Sequence, residues 1–362
     1  MSEMTGILAA TAARLFADVF TREVREAAER GAWPGQAWDS LESMGLTGAA
    51  TSEARGGAGA DAGDVFALAQ LAGACAIPVP YTETLLAEQL LAAANLPVVP
   101  GPATVGPVLR RDRLSLSRRG KGWQVDGTLH RVPWARSAKS LVVVAQYEGR
   151  DRTVLIRQIP HVEEGWNYAR EPRDTVRLDQ LTLPDDAVGE GASLGCEELY
   201  FRGALMRALM MAGALNTVLE LTVRYAKERV QFGKPIGKFQ AVQQQIAALA
   251  SQVAASSAAA EAAADASRER PAHFQIAAAK ARISEAVAAA VGIAHQVHAA
   301  MGFTHEHPLH YSTRRLLAWR DEFGTEAEWS AWVGNVIARV GGESLWSYLT
   351  QPAVPGGGFP AP

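Results

Sequence analysis

Arg229, Phe232 and Gln240 belong to one short corner, Arg229-Val-Gln-Phe-Gly-Lys-Pro-Ile-Gly-Lys-Phe-Gln240, and their side chains suit a nucleotide. Arginine offers phosphate oxygens a planar fork of donors, phenylalanine a stacking face, and glutamine both a donor and an acceptor. The same residues also read as an exposed arginine, a core aromatic and a solvated amide, and by themselves they leave both readings open. The corner has to join two helices. Residues 204–229 read as helix, Phe232-Gly233 offers a stop with glycine in the left-handed position, and Pro235 blocks continuation. The next helix begins near Lys238, with Phe239, Val242, Ile246, Leu249 and Val253 on one face and Gln240, Gln243 and Gln244 off it.

Other chemistry-bearing groups point to less. His295, His298, His305, His307 and His310 crowd one stretch, but only His305 and His307 are close and no cysteine joins them, so no metal site is expected. Cys75 and Cys196 sit far apart in apolar helical contexts and read as small buried hydrophobes. The loop Gly56-Gly57-Ala58-Gly59 lacks the Lys-Ser/Thr of a phosphate-binding loop. Trp319, Trp329 and Trp332 read as packing at helix-bundle ends.

The 362 residues can bury a substantial core in more than one domain, and the net charge of -3 gives no basic footprint for nucleic acid. The start lacks a signal-peptide pattern and no uninterrupted apolar run approaches about 18 residues, so the chain reads as cytoplasmic with no membrane partner. Four zones follow. Residues 1–105 read as an N-terminal α-helical domain, with Leu15, Val19, Val24 and Ala28 in an early helix and Val65, Leu68 and Leu71 in a later one. Residues 106–192 carry short strands at Leu114–Ser117, Trp123–Asp126, Ser140–Ala145, Thr153–Ile156 and Val176–Leu181, a middle β domain. Residues 193–345 return to helix. The alanine-rich run Ala254–Ala266 fits close helix packing, Pro271 fits a first helical turn, and Ile276, Ile283, Val287, Ala290 and Ala294 mark a buried face. Residues 346–362 read as a flexible tail rich in Pro and Gly.

The order R-x-x-F-G-x-P-I-x-x-F-Q resembles the signature of the FAD-dependent acyl-CoA dehydrogenase family. Gln296-Val-His-Ala-Ala-Met-Gly-Phe-Thr-His-Glu-His-Pro308 is similar to its Q-x-x-G-G-x-G-[FY]-x-x-E-x-P segment, and Gly122-Trp-Gln-Val-Asp-Gly127 to the strand and turn that open its β domain. The resemblance implies an α+β fold with an N-terminal helical domain, a middle small antiparallel β barrel and a C-terminal four-helix bundle. It implies FAD in a cleft between β domain and bundle, and a partner subunit's corner over adenine and diphosphate. Arg229, Phe232, Gln240, Gln296 and Gly302 then become candidates for FAD contact across a subunit interface, with Thr325 as a further cofactor-binding candidate.

The implied reaction is α,β-dehydrogenation of an acyl-CoA thioester, in which a carboxylate takes the α-proton while hydride passes to flavin. Most members place that base where this chain has Phe323, and a minority where it has Gly203. Glu322 beside Phe323 is therefore the one candidate base, although on a helix a neighbouring residue points about 100° away. Further departures are the absence of the T-E-x-x-x-G-S-D loop and the sequence Arg131-Val-Pro133 where relatives have W-I-[TS]. Ala299 and Ala300 stand in place of two glycines. The losses fall on the half that holds isoalloxazine and thioester. The chain thus resembles the shorter, base-lacking subunit of heteromeric members, expected to partner a larger dehydrogenase subunit. A homodimer or homotetramer using Glu322, and a flavin-free structural or acyl-CoA-binding relative, are the alternatives.

Overall fold

The computed structural model describes residues 3–189, 194–268 and 272–350. Five helices come first: α1 (Glu3–Val19), α2 (Arg22–Glu29), α3 (Gly35–Ser43), α4 (Ala62–Ala74) and α5 (Tyr81–Ala93). The single early helix expected through Leu15 to Ala28 is two, because Thr21 takes an extended conformation and its side chain accepts from the Val24 amide at 3.4 Å.

Nine strands follow: β1 (Ala103–Gly106), β2 (Ser115–Arg119), β3 (Gly122–Asp126), β4 (Thr128–Pro133), β5 (Ser140–Tyr147), β6 (Arg150–Ile156), β7 (Val162–Glu163), β8 (Arg173–Arg177) and β9 (Leu181–Leu183). They form a six-stranded sheet, β1-β5-β2-β3-β9 with β6 on β5, and a three-stranded sheet, β4-β8-β7. The pairing is antiparallel except that β1 runs parallel to β5, with β2 meeting β5 in parallel at Ser115 and Gln146. Central β5 is apolar from Leu141 to Ala145 because both its faces are covered there. Val142 and Val144 join the helical core, while Leu141, Val143 and Ala145 join a second core with Leu129 and Val176.

The last part is helical: α6 (Cys196–Glu228), α7 (Gln240–Ala266), α8 (His273–His298), α9 (Leu309–Trp319), α10 (Glu326–Val340) and α11 (Gly342–Thr350). Ile276, Ile283, Val287, Ala290 and Ala294 are all buried on α8, as their spacing predicts. Leu249 and Val253 of the α7 stripe are buried, and Val242 and Ile246 are half-buried. Helix α6 starts earlier than expected and runs through the middle of the molecule. There it touches α4 backbone to backbone: a Cβ on Gly213 would stand 2.9 Å from the Ala74 nitrogen, and one on Gly73 2.5 Å from the Met210 Cα. By length and composition α6 and the stretch His273–Phe303 could cross a membrane, but the apolar window of α6 is 78% buried inside the protein, where it packs against α4, α7, α8 and α9.

Two expectations need correction. Phe232-Gly233 is not a helix stop: α6 ends at Glu228 with Arg229 as its cap, and Phe232 (φ 51°) and Gly233 (φ 77°) form the left-handed pair of a two-residue hairpin turn between β10 (Val230–Gln231) and β11 (Lys234–Pro235). Residues 346–350 are not loose tail but the end of α11. Pro271 and residues 351–362 lie outside the described residues.

Candidate functional site

Gly203 on α6 and Phe323, just beyond α9, face each other. A Cβ built on Gly203 would overlap the Cδ1, Cε1 and Cγ atoms of the Phe323 ring, which is 3% exposed. Phe323 sits in the left-handed region (φ 50°), followed by Gly324 (φ 99°), a conformation that needs outside support in a non-glycine residue. Lys280 Nζ supplies it from α8, donating to the Arg320 carbonyl at 2.6 Å and the Gly324 carbonyl at 2.9 Å. Trp329 Nε1 donates to the Phe323 carbonyl at 3.0 Å. Burial brings the Lys280 ammonium down to about 7.

Glu322 is buried and fully engaged. Arg173 on β8 donates to it through Nε (2.7 Å) and Nη2 (3.0 Å), Arg207 on α6 through Nε (2.7 Å), and Asn167 through its amide (3.1 Å). Burial alone would raise this carboxyl, but the two guanidiniums outweigh it and hold the group well below the usual carboxylate range. The pairing continues on both sides. Arg207 reaches Glu83 of α5, Arg173 reaches Glu171 at 3.0 Å, and Arg315 of α9 reaches Glu171 at 3.1 Å. The result is an alternating row, Glu83–Arg207–Glu322–Arg173–Glu171–Arg315, that stitches N-terminal helices, β domain and bundle together. Trp319, expected only to pack, also donates to Glu171 at 2.9 Å.

Of the cofactor candidates, Arg229, Phe232, Gln240 and Gln296 are exposed, and Phe232 is 91% so. The first three belong to the corner, and Gln296 lies at the same end of the bundle. That proximity follows from Tyr225, one turn before Arg229, whose ring stacks on His298 with centroids 4.5 Å apart. Gly302 is buried, with a Cβ there 3.0 Å from the His298 Cβ and 3.1 Å from His295 Nδ1, so its smallness serves packing. Thr325 caps α10: its hydroxyl accepts from the Glu328 amide at 3.3 Å in a capping box. Thr325 lies near the Tyr200 end of α6, since the Tyr200 ring packs tilted against Trp329 with centroids 5.5 Å apart. At a 1.5 Å rise per residue the Arg229 end is about 40 Å away. One chain cannot bring both groups onto a single cofactor. At the corner Arg229 is exposed, with no side-chain partner among the described residues, and the Phe232 ring is 91% exposed, a donor fork and an aromatic face of the kind that suit a nucleotide.

Arg131-Val-Pro133 also departs from a flavin-facing strand end. Arg131 has φ 57° beside a register shift, and the Pro133 carbonyl accepts from the Thr104 hydroxyl, tying β4 to β1. Among the described residues no His, Cys, Asp and Glu group could hold a metal ion.

Two family models match, the acyl-CoA dehydrogenase N-terminal domain over residues 2–95 and the acyl-CoA dehydrogenase C-terminal domain over residues 198–327, together more than half of the chain. The chain belongs to the acyl-CoA dehydrogenase family. Members of this family are FAD-dependent oxidoreductases. Acyl-CoA dehydrogenase IpdE2 of Mycobacterium tuberculosis is 28% identical over 299 residues, covering 80% of this chain and 82% of the relative. The short-chain specific acyl-CoA dehydrogenase of Megasphaera elsdenii is 24% identical, over 79% of this chain and 85% of its own. Among solved structures, the steroid dehydrogenase Tcur3481-Tcur3483 superposes with a TM-score of 0.82 at 24% identity, over 93% of this chain and 98% of the other. The ChsE4-ChsE5 complex from Mycobacterium tuberculosis does so with 0.80 at 21%, over 93% and 98%. At such identities these two likenesses establish the acyl-CoA dehydrogenase fold alone.

Sequence reasoning missed Glu83, Glu171, Arg173, Arg207, Arg315 and Lys280. The available signal was a charge inside an apolar run, Arg207 between Met206 and Ala208.

Proposed function

We propose that this chain is the non-basic subunit of an FAD-dependent acyl-CoA dehydrogenase, lending its corner to a flavin seated in a base-bearing partner. The observation that carries the reading is the contact of Phe323 with Gly203: both base positions lack a carboxylate and are packed against each other. Glu322 does not replace them. Its carboxylate is bound by Arg173 and Arg207, and a base has to be free to take a proton near neutral pH. The outward Arg229 and Phe232 support a contact made toward another chain, and two of the similar folds are named as two-component assemblies. The acyl group, on this reading, is a bulky one of the kind that the name of the steroid relative indicates.

Co-expression with a base-bearing dehydrogenase subunit tests the proposal. The chain alone is expected to carry no flavin absorbance and the complex to gain both flavin and activity, with Arg229→Ala lowering flavin retention. Stoichiometric FAD and dehydrogenation by the chain alone, abolished by Glu322→Gln without loss of folding, would establish the self-sufficient enzyme instead. Flavin under neither condition would leave a structural or acyl-CoA-binding relative.

A further inference from the structure

Arg25 of α2 is a half-buried guanidinium to which no carboxylate is paired among the described residues. Its Nη2 donates to the Cys75 carbonyl at 2.8 Å, and its Cζ lies over the Tyr311 ring, 5.9 Å from the centroid. Burial, and after it the positive charge of Arg315, lowers its pKa. Arg315 is itself matched by Glu171 at 3.1 Å, so the charge left unmatched is that of Arg25. Tyr311 of α9 is 6% exposed, and its hydroxyl has no hydrogen-bond partner among the described residues. Burial raises the pKa of that phenol, which stays protonated and has a hydrogen to donate. A buried hydroxyl and a buried cation both lose stability when they go unanswered.

Both groups line one cavity of about 290 Å³ where α2, the end of α4, the middle of α6 and the start of α9 meet. Much of the remaining wall is apolar, from Ala74, Ala76, Leu221 and Pro308. The other polar groups there are already engaged or lie outside. The Thr217 hydroxyl donates to the Ala74 carbonyl at 2.9 Å, Arg22 is paired with Glu26 at 2.7 Å, and Glu306 is exposed. The interior therefore offers one positive charge, one hydroxyl donor and an apolar wall. A neutral ligand would leave Arg25 unmatched, and a bare inorganic anion would leave the wall uncovered; a carboxylate on an apolar body answers both. An apolar cavity of about 150 Å³ takes benzene, so this one has room for a ring and a carboxylate.

We propose that this cavity binds a small monocarboxylate whose apolar body is about the size of one aromatic ring, with the carboxylate held between the Arg25 guanidinium and the Tyr311 hydroxyl. Neither Gly203, Phe323 nor a residue of the corner lines it, so the site stands apart from the function proposed above.

Calorimetric titration of the full chain at neutral pH tests it, with benzoate as the probe, benzyl alcohol as its uncharged counterpart and inorganic phosphate as an anion without an apolar body. Benzoate is expected to bind at one site per chain with a Kd of about 1 mM or tighter. Benzyl alcohol is expected to bind at least about tenfold more weakly, since it cannot answer the guanidinium. Tyr311→Phe is expected to weaken benzoate by about tenfold and to leave the melting temperature of the free chain unchanged or higher, because only an unpaired hydroxyl is lost. A lower melting temperature with benzoate affinity intact would make the tyrosine structural and overturn the site. Arg25→Met is expected to weaken benzoate by more than about tenfold and to leave benzyl alcohol alone. Should that variant fail to fold, Tyr311→Phe and the two control ligands still decide. Absence of saturable benzoate binding overturns the proposal. So does benzyl alcohol binding as tightly as benzoate, which would leave an apolar hollow, and so does phosphate binding as tightly, which would leave a general anion site.

Discussion

Arg207 stands between two carboxylates, donating to Glu322 through Nε at 2.7 Å and to Glu83 through Nη2, all three buried. One side chain of α6 thereby holds α5 on one side and the segment after α9 on the other. Burial opposes the charge on Arg207, but its two carboxylate partners raise its pKa above the ordinary guanidinium value, so the cation is fixed at every working pH.

Arg207→Met removes the cation and leaves Glu83 unpaired and Glu322 half-paired in the interior. Breaking a buried pair from one side costs about 3–5 kcal/mol, whereas replacing both partners by apolar groups is nearly neutral. The double variant Glu83→Leu/Arg207→Met, which leaves Glu322–Arg173–Glu171–Arg315 balanced, is therefore expected to recover most of the loss. Denaturant midpoints of the three proteins check this, and a double variant as unstable as the single one would show that the row does not act by charge balance.

Glu322→Gln keeps the shape and removes the charge. The folded pKa of Glu322 lies far below its unfolded value, so the carboxylate contributes its stability in full above the ordinary carboxylate range and loses it only as pH falls through the folded value. The variant is expected to be less stable by about 3 kcal/mol at pH 7, with the gap to the parent closing in strong acid. Stability curves against pH check the direction. A gap that is constant from neutral pH into acid would mean that the ion pairs contribute nothing net.

Glu88 on α5 gives the opposite sign. It is buried, its Oε2 has no hydrogen-bond partner among the described residues, and burial raises its pKa to about 7. The folded state thus holds a proton that the unfolded state has released, and stability falls as pH rises from the unfolded pKa to about 7. Glu88→Gln is expected to gain on the parent across that window, by up to about 3 kcal/mol at pH 8. Equal melting temperatures of the two proteins at pH 5 and pH 8 would contradict it.

How much of this was legible depends on distance along the chain. The α8 stripe from Ile276 to Ala294 and the apolar run of β5 follow from local periodicity, and both appear where expected. The hairpin at Phe232-Gly233 is hidden in the sequence because a left-handed residue after a helix is also how helices stop, and the short β10–β11 pairing tells the two apart. The ion row was illegible for another reason. Glu322 meets residues 115 and 149 positions away, and no local pattern announces a partner on another domain. Arg320-Asp-Glu322 looks like a solvated charge run in sequence. In the fold Glu322 is the one drawn inward, and its neighbour Phe323 packs against Gly203.

Phe232 separates stability from function in one residue. It is 91% exposed and held at φ 51°, so its ring contributes almost no burial in the isolated chain while its backbone carries strain. Glycine relieves that strain at no steric cost, and Phe232→Gly is expected to stabilise the chain by up to about 1 kcal/mol. If the ring stacks on a flavin nucleotide in a neighbouring subunit, the same change should reduce the FAD retained by the co-expressed complex, and gel filtration should still show the complex assembled. Melting temperature of the single chain and flavin absorbance of the complex are the two readouts. A more stable chain with undiminished flavin would mean that the exposed ring serves some contact other than the cofactor.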